Sequence, residues 1–191
     1  CIANGIDCNT FLAVVNFLTE DNIEVDYDYG DISIVSVINY LKNAHSYFLE
    51  FKLPQIRNKL IEAVNNQDQS IPYSSIFLKF FDEYVMEVRK HMEYEDKVTF
   101  PYVLKLLNGE KVSNYTIAVF RNHHNDIESK LVELKNILIK YYPDNGNSYL
   151  LTEVLFDIFS CEMDLATHNQ VEDFLFIPEV EAVERKIKMK L

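Results

Sequence analysis

The stretch His91-Met92-Glu93-Tyr94-Glu95 and its distant echo His168-Asn169-Gln170-Val171-Glu172 decide how the rest of the chain reads. Each spells His-x-x-x-Glu inside a helical pattern of apolar residues. Four residues is just over one helical turn, so imidazole and carboxylate leave the same face, one above the other. Two such pairs on facing helices supply four ligands, two of them carboxylates able to bridge a pair of metal ions. The remaining residues must then bring the two pairs together.

Around the first pair, the seam Phe77, Phe80, Tyr84, Glu87, His91, Glu95, Val98 predicts one helix, closed by Pro101 and then Asn108-Gly109. Around the second, Leu150, Val154, Ile158, Cys161, Leu165, His168, Glu172 and Leu175 predict another, with Pro178 near its end. A helix from near Ser33 carries Ile34, Ile38, Leu41, His45 and Phe48, and kinks or restarts at Pro54. Its loop is Asn65-Asn66-Gln67-Asp68-Gln69-Ser70. The helix that is third in chain order opens after Ser113, runs through Ile117, Phe120, His124, Ile127, Leu131, Leu134 and Leu138, and stops at Tyr142 before the turn Asp144-Asn145-Gly146-Asn147.

Four long amphipathic helices with short connections predict an all-α, antiparallel up-down four-helix bundle. The chain has only 4 Gly and 5 Pro, too few for many tight β turns, while 12 Tyr and 13 Phe supply a bulky core. Before the bundle, Ile6-Asp7-Cys8-Asn9 offers a cap for a short helix over Thr10 to Leu18, apolar through Phe11, Leu12, Val15 and Phe17. The expected organisation is a short helical piece over 1–20, an acidic linker over 21–32, the bundle over 33–182 and a charged tail over 183–191.

A net charge of -12 repels phosphate backbones, which speaks against nucleic-acid binding by this segment. No stretch reaches the roughly 18 apolar residues of a membrane span, so no membrane partner is expected. Three scattered cysteines, Cys1, Cys8 and Cys161, form neither a disulfide framework nor a Cys-x-x-Cys metal motif, and suit a reducing, cytoplasmic setting.

Each predicted helix carries one histidine on its apolar seam, about midway along. In an up-down bundle those levels meet, so His45, His91, His124 and His168 converge, with Glu95 and Glu172 one turn along. Imidazole nitrogens and carboxylate oxygens suit iron, manganese or zinc. Taken singly, a seam histidine is more often a hydrogen-bonded core residue, and His-x-x-x-Glu is common on exposed faces. The set of six is harder to read that way, because burying it without metal costs several kcal/mol unless each group finds a partner.

Glu87 and Asp164 precede His91 and His168 by four, as outer-shell acceptors or an acid-lined access path, or as solvated rim carboxylates. Glu128, four after His124, is an extra ligand or an ordinary surface acid. Asp173 competes with Glu172 as the bridging carboxylate. His123 points about 100° from His124, toward an outer shell or solvent. The sequence contains no His-Glu-x-x-His, no Glu-x-x-His, no Gly-rich phosphate loop and no Gly-x-Ser-x-Gly, so no catalytic residue is assigned and enzymatic activity stays open.

The order of one His, then His-x-x-x-Glu, then His, then His-x-x-x-Glu resembles the hemerythrin-like (HHE) domain. More narrowly it resembles the di-iron proteins of iron–sulfur cluster repair. The strings that carry the likeness are His45-Ser46-Tyr47 leading to Leu53-Pro54, His91 to Glu95 followed by Phe100-Pro101, and His168 to Asp173 followed by Phe176-Ile177-Pro178. The resemblance implies two iron ions, oxo- or hydroxo-bridged, with zinc or manganese as substitutes. It implies His45, His91, His124 and His168 as ligands and Glu95 and Glu172 as bridges. Oxygen carriers of the family use His-x-x-x-His on the third helix, where this chain has Glu128, and an Asp five after the fourth-helix His, where Asp173 does stand.

The resemblance also makes residues 1–20 the end of a small helical domain that precedes the bundle in repair proteins. The implied roles are iron–sulfur cluster repair, or a response to nitric oxide and oxidative stress. The alternative is an O2-, NO- or redox-sensing domain of a larger transcription regulator. Expected partners are O2 or NO and damaged iron–sulfur proteins, with a homodimer allowed. A purely structural bundle that binds a protein partner is the third reading.

Overall fold

The apolar periodicity is realised as helix throughout. Among residues 6–19, 32–65, 74–110, 114–121, 127–140 and 149–189, which the computed structural model describes, there is no strand. The α-helices are α1 (Cys8–Thr19), α2 (Ile34–Ser46), α3 (Leu53–Asn65), α4 (Ser74–Tyr94), α5 (Phe100–Leu107), α6 (Ile117–Arg121), α7 (Ile127–Lys140), α8 (Tyr149–Val171) and α9 (Ile177–Met189). Wide π turns join three pairs of them without a break: π1 (Tyr47–Lys52) between α2 and α3, π2 (Glu95–Thr99) between α4 and α5, and π3 (Glu172–Phe176) between α8 and α9. None of the described helices is long and apolar enough to cross a membrane.

The prolines explain the π turns. Proline has no N–H to donate, and its ring collides with the carbonyl four residues back. Instead of ending, each helix widens to the i→i+5 pattern just before its proline. Leu53 N–H donates to the Phe48 carbonyl, Phe100 N–H to that of Glu95, and Ile177 N–H to that of Glu172. The buried line therefore moves on by one residue. Val98, expected on the seam, is 38% exposed, and Thr99 and Phe100 are buried in its place. The expected end near Pro178 is also corrected, since α9 carries the chain as helix to Met189. The helix through Pro101 does close at Asn108-Gly109. Gly109 takes φ +76 and its N–H bonds the Leu106 carbonyl, while Glu110 N–H reaches back to Lys105, a Schellman ending that needs a residue tolerant of left-handed φ.

The chain forms two compact units, and three of their borders fall inside α2, α4 and α8. One comprises Cys1–Ala44, Tyr94–His124 and Thr167–Leu191. Its core joins Ile34, Val37, Ile38 and Leu41 of α2 to Val103 and Leu106 of α5 and to Ile177 and Val180 of α9. Phe176 sits at its centre, edge-on to Phe100 at 5.5 Å and to Phe120 at 6.2 Å. Such pairs add about 0.5–1.5 kcal/mol each beyond their burial.

Helix α1 belongs to this unit through Ala13 and Val14. Its buried face is not the expected one: Phe11 and Leu12 are exposed, and Thr10, Ala13 and Val14 are buried. The start of α1 is fixed by Asp7, whose carboxylate accepts the Thr10 N–H at 2.8 Å. Thr10 in turn accepts the Ser33 N–H at 2.9 Å, placing the residue that opens α2. At the other end Glu184 of α9 accepts both the Tyr102 hydroxyl at 2.6 Å and the Ile117 N–H at 2.8 Å, so one carboxylate holds α5 and the first residue of α6.

The other unit comprises His45–Glu93 and Asn125–Ala166. Ile56 and Leu60 of α3, Phe81, Tyr84 and Val88 of α4, Leu134 and Leu138 of α7, and Val154, Ile158 and Cys161 of α8 are buried within it. Ion pairs name the neighbours: Arg57 grips Asp82 in a two-pronged pair, Lys59 meets Asp157 at 2.6 Å, and Lys135 meets Glu162 at 2.8 Å. These partly exposed pairs contribute roughly 0.2–1 kcal/mol each, so they select partners more than they stabilise. The helix predicted after Ser113 is described as two stretches, α6 and α7. The acidic linker through Asp31, the loop from Asn66 to Ser70, the turn after Tyr142 and residues 122–126 lie outside the described residues.

Two consequences are measurable. Glu184→Ala removes the acceptor of Tyr102 and Ile117 and should cost about 2 kcal/mol in urea unfolding, with Glu184→Gln milder. A loss under about 0.5 kcal/mol, typical of an ordinary surface change, would show that Glu184 holds nothing together. Separately, burial pushes the Cys161 thiol up from 9.0 to about 12. Between those values the unfolded chain has released a proton that the folded chain keeps, so stability falls as pH rises through this window. Cys161→Ala should remove that part of the alkaline slope, and an unchanged slope would refute the assignment.

Candidate metal centre

The four helical positions that matter follow from local register. His45 lies one residue from the end of α2, two before π1. Glu95 is the first residue of π2 and Glu172 the first of π3, while His168 stands one turn before Glu172 on α8. In the folded chain one donor atom from each of His45, Glu95, His168 and Glu172 lies within 4.8 Å of the others. The four side chains are buried, at 2%, 0%, 2% and 0% exposure respectively. His168 Nε2 approaches Glu172 Oε1 to 3.3 Å, as the i, i+4 spacing requires.

This donor set fits a cation. Imidazole nitrogen and carboxylate oxygen bind first-row metals at about 2.0–2.2 Å, so donors around one ion are at most about 4.4 Å apart. A spread of up to 4.8 Å needs only a small contraction. Charge gives the same answer. Two charged carboxylates this close repel by about 3.5 kcal/mol or more at an effective dielectric constant of 20, and buried charges persist where they are paired or coordinate a metal.

The matching sequence family agrees. A model of the hemerythrin HHE cation-binding domain matches residues 36–180, most of the chain. The chain belongs to that family. Neither a curated protein nor a solved structure matches it significantly.

Outside the four-donor group, the other candidate residues of this HHE domain differ in burial. His91 is half-buried and stays out of the four-donor group, because the buried line of α4 runs through Val88, Met92 and Glu95. Glu87, one turn before it, is also half-buried. Asp164 is exposed on α8. Asp173 is exposed beside the fully buried Glu172. Glu128 lies on α7. His123 and His124 fall outside the described residues.

Sequence reasoning missed a polar group next to Glu95. Thr99, fully buried one turn on, hydrogen-bonds the Tyr115 hydroxyl at 3.0 Å, and Tyr94 donates to the same hydroxyl at 3.4 Å. Burial pushes the Tyr115 phenol up, and the Tyr94 hydrogen bond and the Glu95 charge add to this against the lowering bond to Thr99. The i, i+4 spacing of Glu95 and Thr99 was a visible signal. Nothing in the sequence pointed to Tyr115.

His168→Ala and Glu95→Gln should each weaken cation binding by more than the roughly 10–100-fold that loss of an outer partner produces. His91→Ala should do less. Equilibrium titration with Mn(II) distinguishes them, and an equal or larger loss in His91→Ala would show that the four donors are not the principal site.

Proposed function

We propose that this HHE domain binds two iron ions and acts in iron–sulfur cluster repair or in the response to nitric oxide and oxidative stress. The observation that carries the reading is the fully buried convergence of His45, Glu95, His168 and Glu172. In the proposal this set would hold one iron, and His91 and His124 would supply ligands to a second. Bound iron would supply affinity for O2 or NO and one-electron chemistry. The chain's own residues fix the ion's place and exclude bulk water. Glu87, half-buried near His91 in sequence, and the exposed Asp164 near His168 form the acidic route by which iron leaves toward a damaged iron–sulfur protein. The three scattered cysteines suit a reducing, cytoplasmic setting.

The test is elemental analysis of anaerobically purified protein, with a visible spectrum before and after air. About two irons per chain is expected, one for each His pair with shared carboxylates, together with ferric absorption that grows in air. A protein without metal, or with one tightly held zinc, would remove the di-iron reading. Transfer of that iron to a cluster-depleted acceptor protein would favour repair. Retention of iron with a change in helix packing on NO binding would favour sensing instead.

A further inference from the structure

Three of the chain's 5 prolines lie in described segments, and all three occupy the same place. Pro54, Pro101 and Pro178 each stand two residues after the last residue of a π turn. Each π turn in turn starts at or just after a donor: Tyr47 follows His45 by two, and Glu95 and Glu172 are themselves first residues. No other π turn occurs among the described residues. Three independent helices thus repeat one order, donor, wide turn, proline.

Register explains why the order matters. A π turn holds one residue more than the α-helix would between the same two points, and each residue of α-helix rotates the chain by about 100°. With the extra residue, donor and downstream core face the same way. Glu95 and Phe100 are both fully buried although five residues apart, as are Glu172 and Ile177, while His45 and Leu53 are buried on either side of π1. An uninterrupted α ladder would turn donor and core away from each other. The core of α5, with Phe100, Val103 and Leu106, offers more buried area than one carboxylate, so the donor would be the group to leave. Proline blocks the α ladder by lacking its N–H and by pressing on the carbonyl four residues back.

We propose that Pro54, Pro101 and Pro178 are positioning residues of the cation site: they hold each donor-bearing helix in its π turn, and so keep His45, Glu95 and Glu172 aimed inward. This rests on the cation-binding reading but not on iron or on the number of ions.

The test uses the full chain and anaerobic Fe(II) titration of wild type, Pro101→Ala and Pro178→Ala, with thermal melting of the metal-free proteins alongside. The variants should bind Fe(II) about tenfold more weakly or worse, while the metal-free melting temperature holds or rises because a helix-interrupting residue has gone. Deleting the exposed Val98 in the Pro101→Ala background removes the surplus residue, restores the common face in plain α-helix and should return most of the affinity. Unchanged affinity in the proline variants overturns the proposal. So does a loss that merely tracks a fall in melting temperature, or a deletion that restores nothing. If wild type takes up no Fe(II), the cation-binding reading fails together with the positioning; if wild type binds and the variants match it, the positioning fails alone.

Discussion

Two buried carboxylates kept within a few ångströms of each other are the constraint on which the rest depends. Glu95 and Glu172 are fully buried and share that space with His45 and His168. An arrangement of this kind is unfavourable for an apolar core and favourable for a divalent cation. The helices on either side are ordinary by comparison. They are amphipathic, capped by Asp7, Ser33 and Gly109, and joined by surface ion pairs of modest individual weight. The fold supplies the rigidity, and the donors supply the chemistry.

Much of this was legible in the sequence because helix periodicity and side-chain direction are linked so simply. Ile34, Ile38, Leu41, His45 and Phe48 were expected on one face and are all buried. Ile158, Cys161, Leu165, His168, Glu172 and Leu175 are buried as well. Spacing picked out six candidate ligands, and four of them, His45, Glu95, His168 and Glu172, converge among the described residues. It was less successful where the period changed. A rule of 3.6 residues per turn carried through Glu95 lands on Val98, whereas the π turn puts Thr99 and Phe100 inside. The same rule treats proline as a stop, and Pro178 is followed by helix to Met189.

Other departures have a different origin. Phe11 and Leu12 of α1 are large, apolar and expected inward, but the cap at Asp7 and the Thr10 bond to Ser33 set the rotation, leaving Ala13 and Val14 in the core with α2. His91 precedes Glu95 by the same four residues that separate His168 from Glu172, but His168 is buried and His91 only half-buried. With Met92 buried and His91 half-buried, the face has rotated by a fraction of a turn. Tertiary partners such as Tyr115 leave no trace in local spacing at all.

The Glu184 carboxylate has a consequence for where this domain ends as a physical object. The stretch that matches the HHE family stops at residue 180, and all four converging donors fall before that point. Glu184 comes after it, and so do Val183 and Ile187, which pack against the core. A recombinant fragment cut at the family limit would retain every candidate ligand and lose the clasp on Tyr102 and Ile117. Sequence kinship and mechanical self-sufficiency thus have different borders in this chain, and the second lies further along α9.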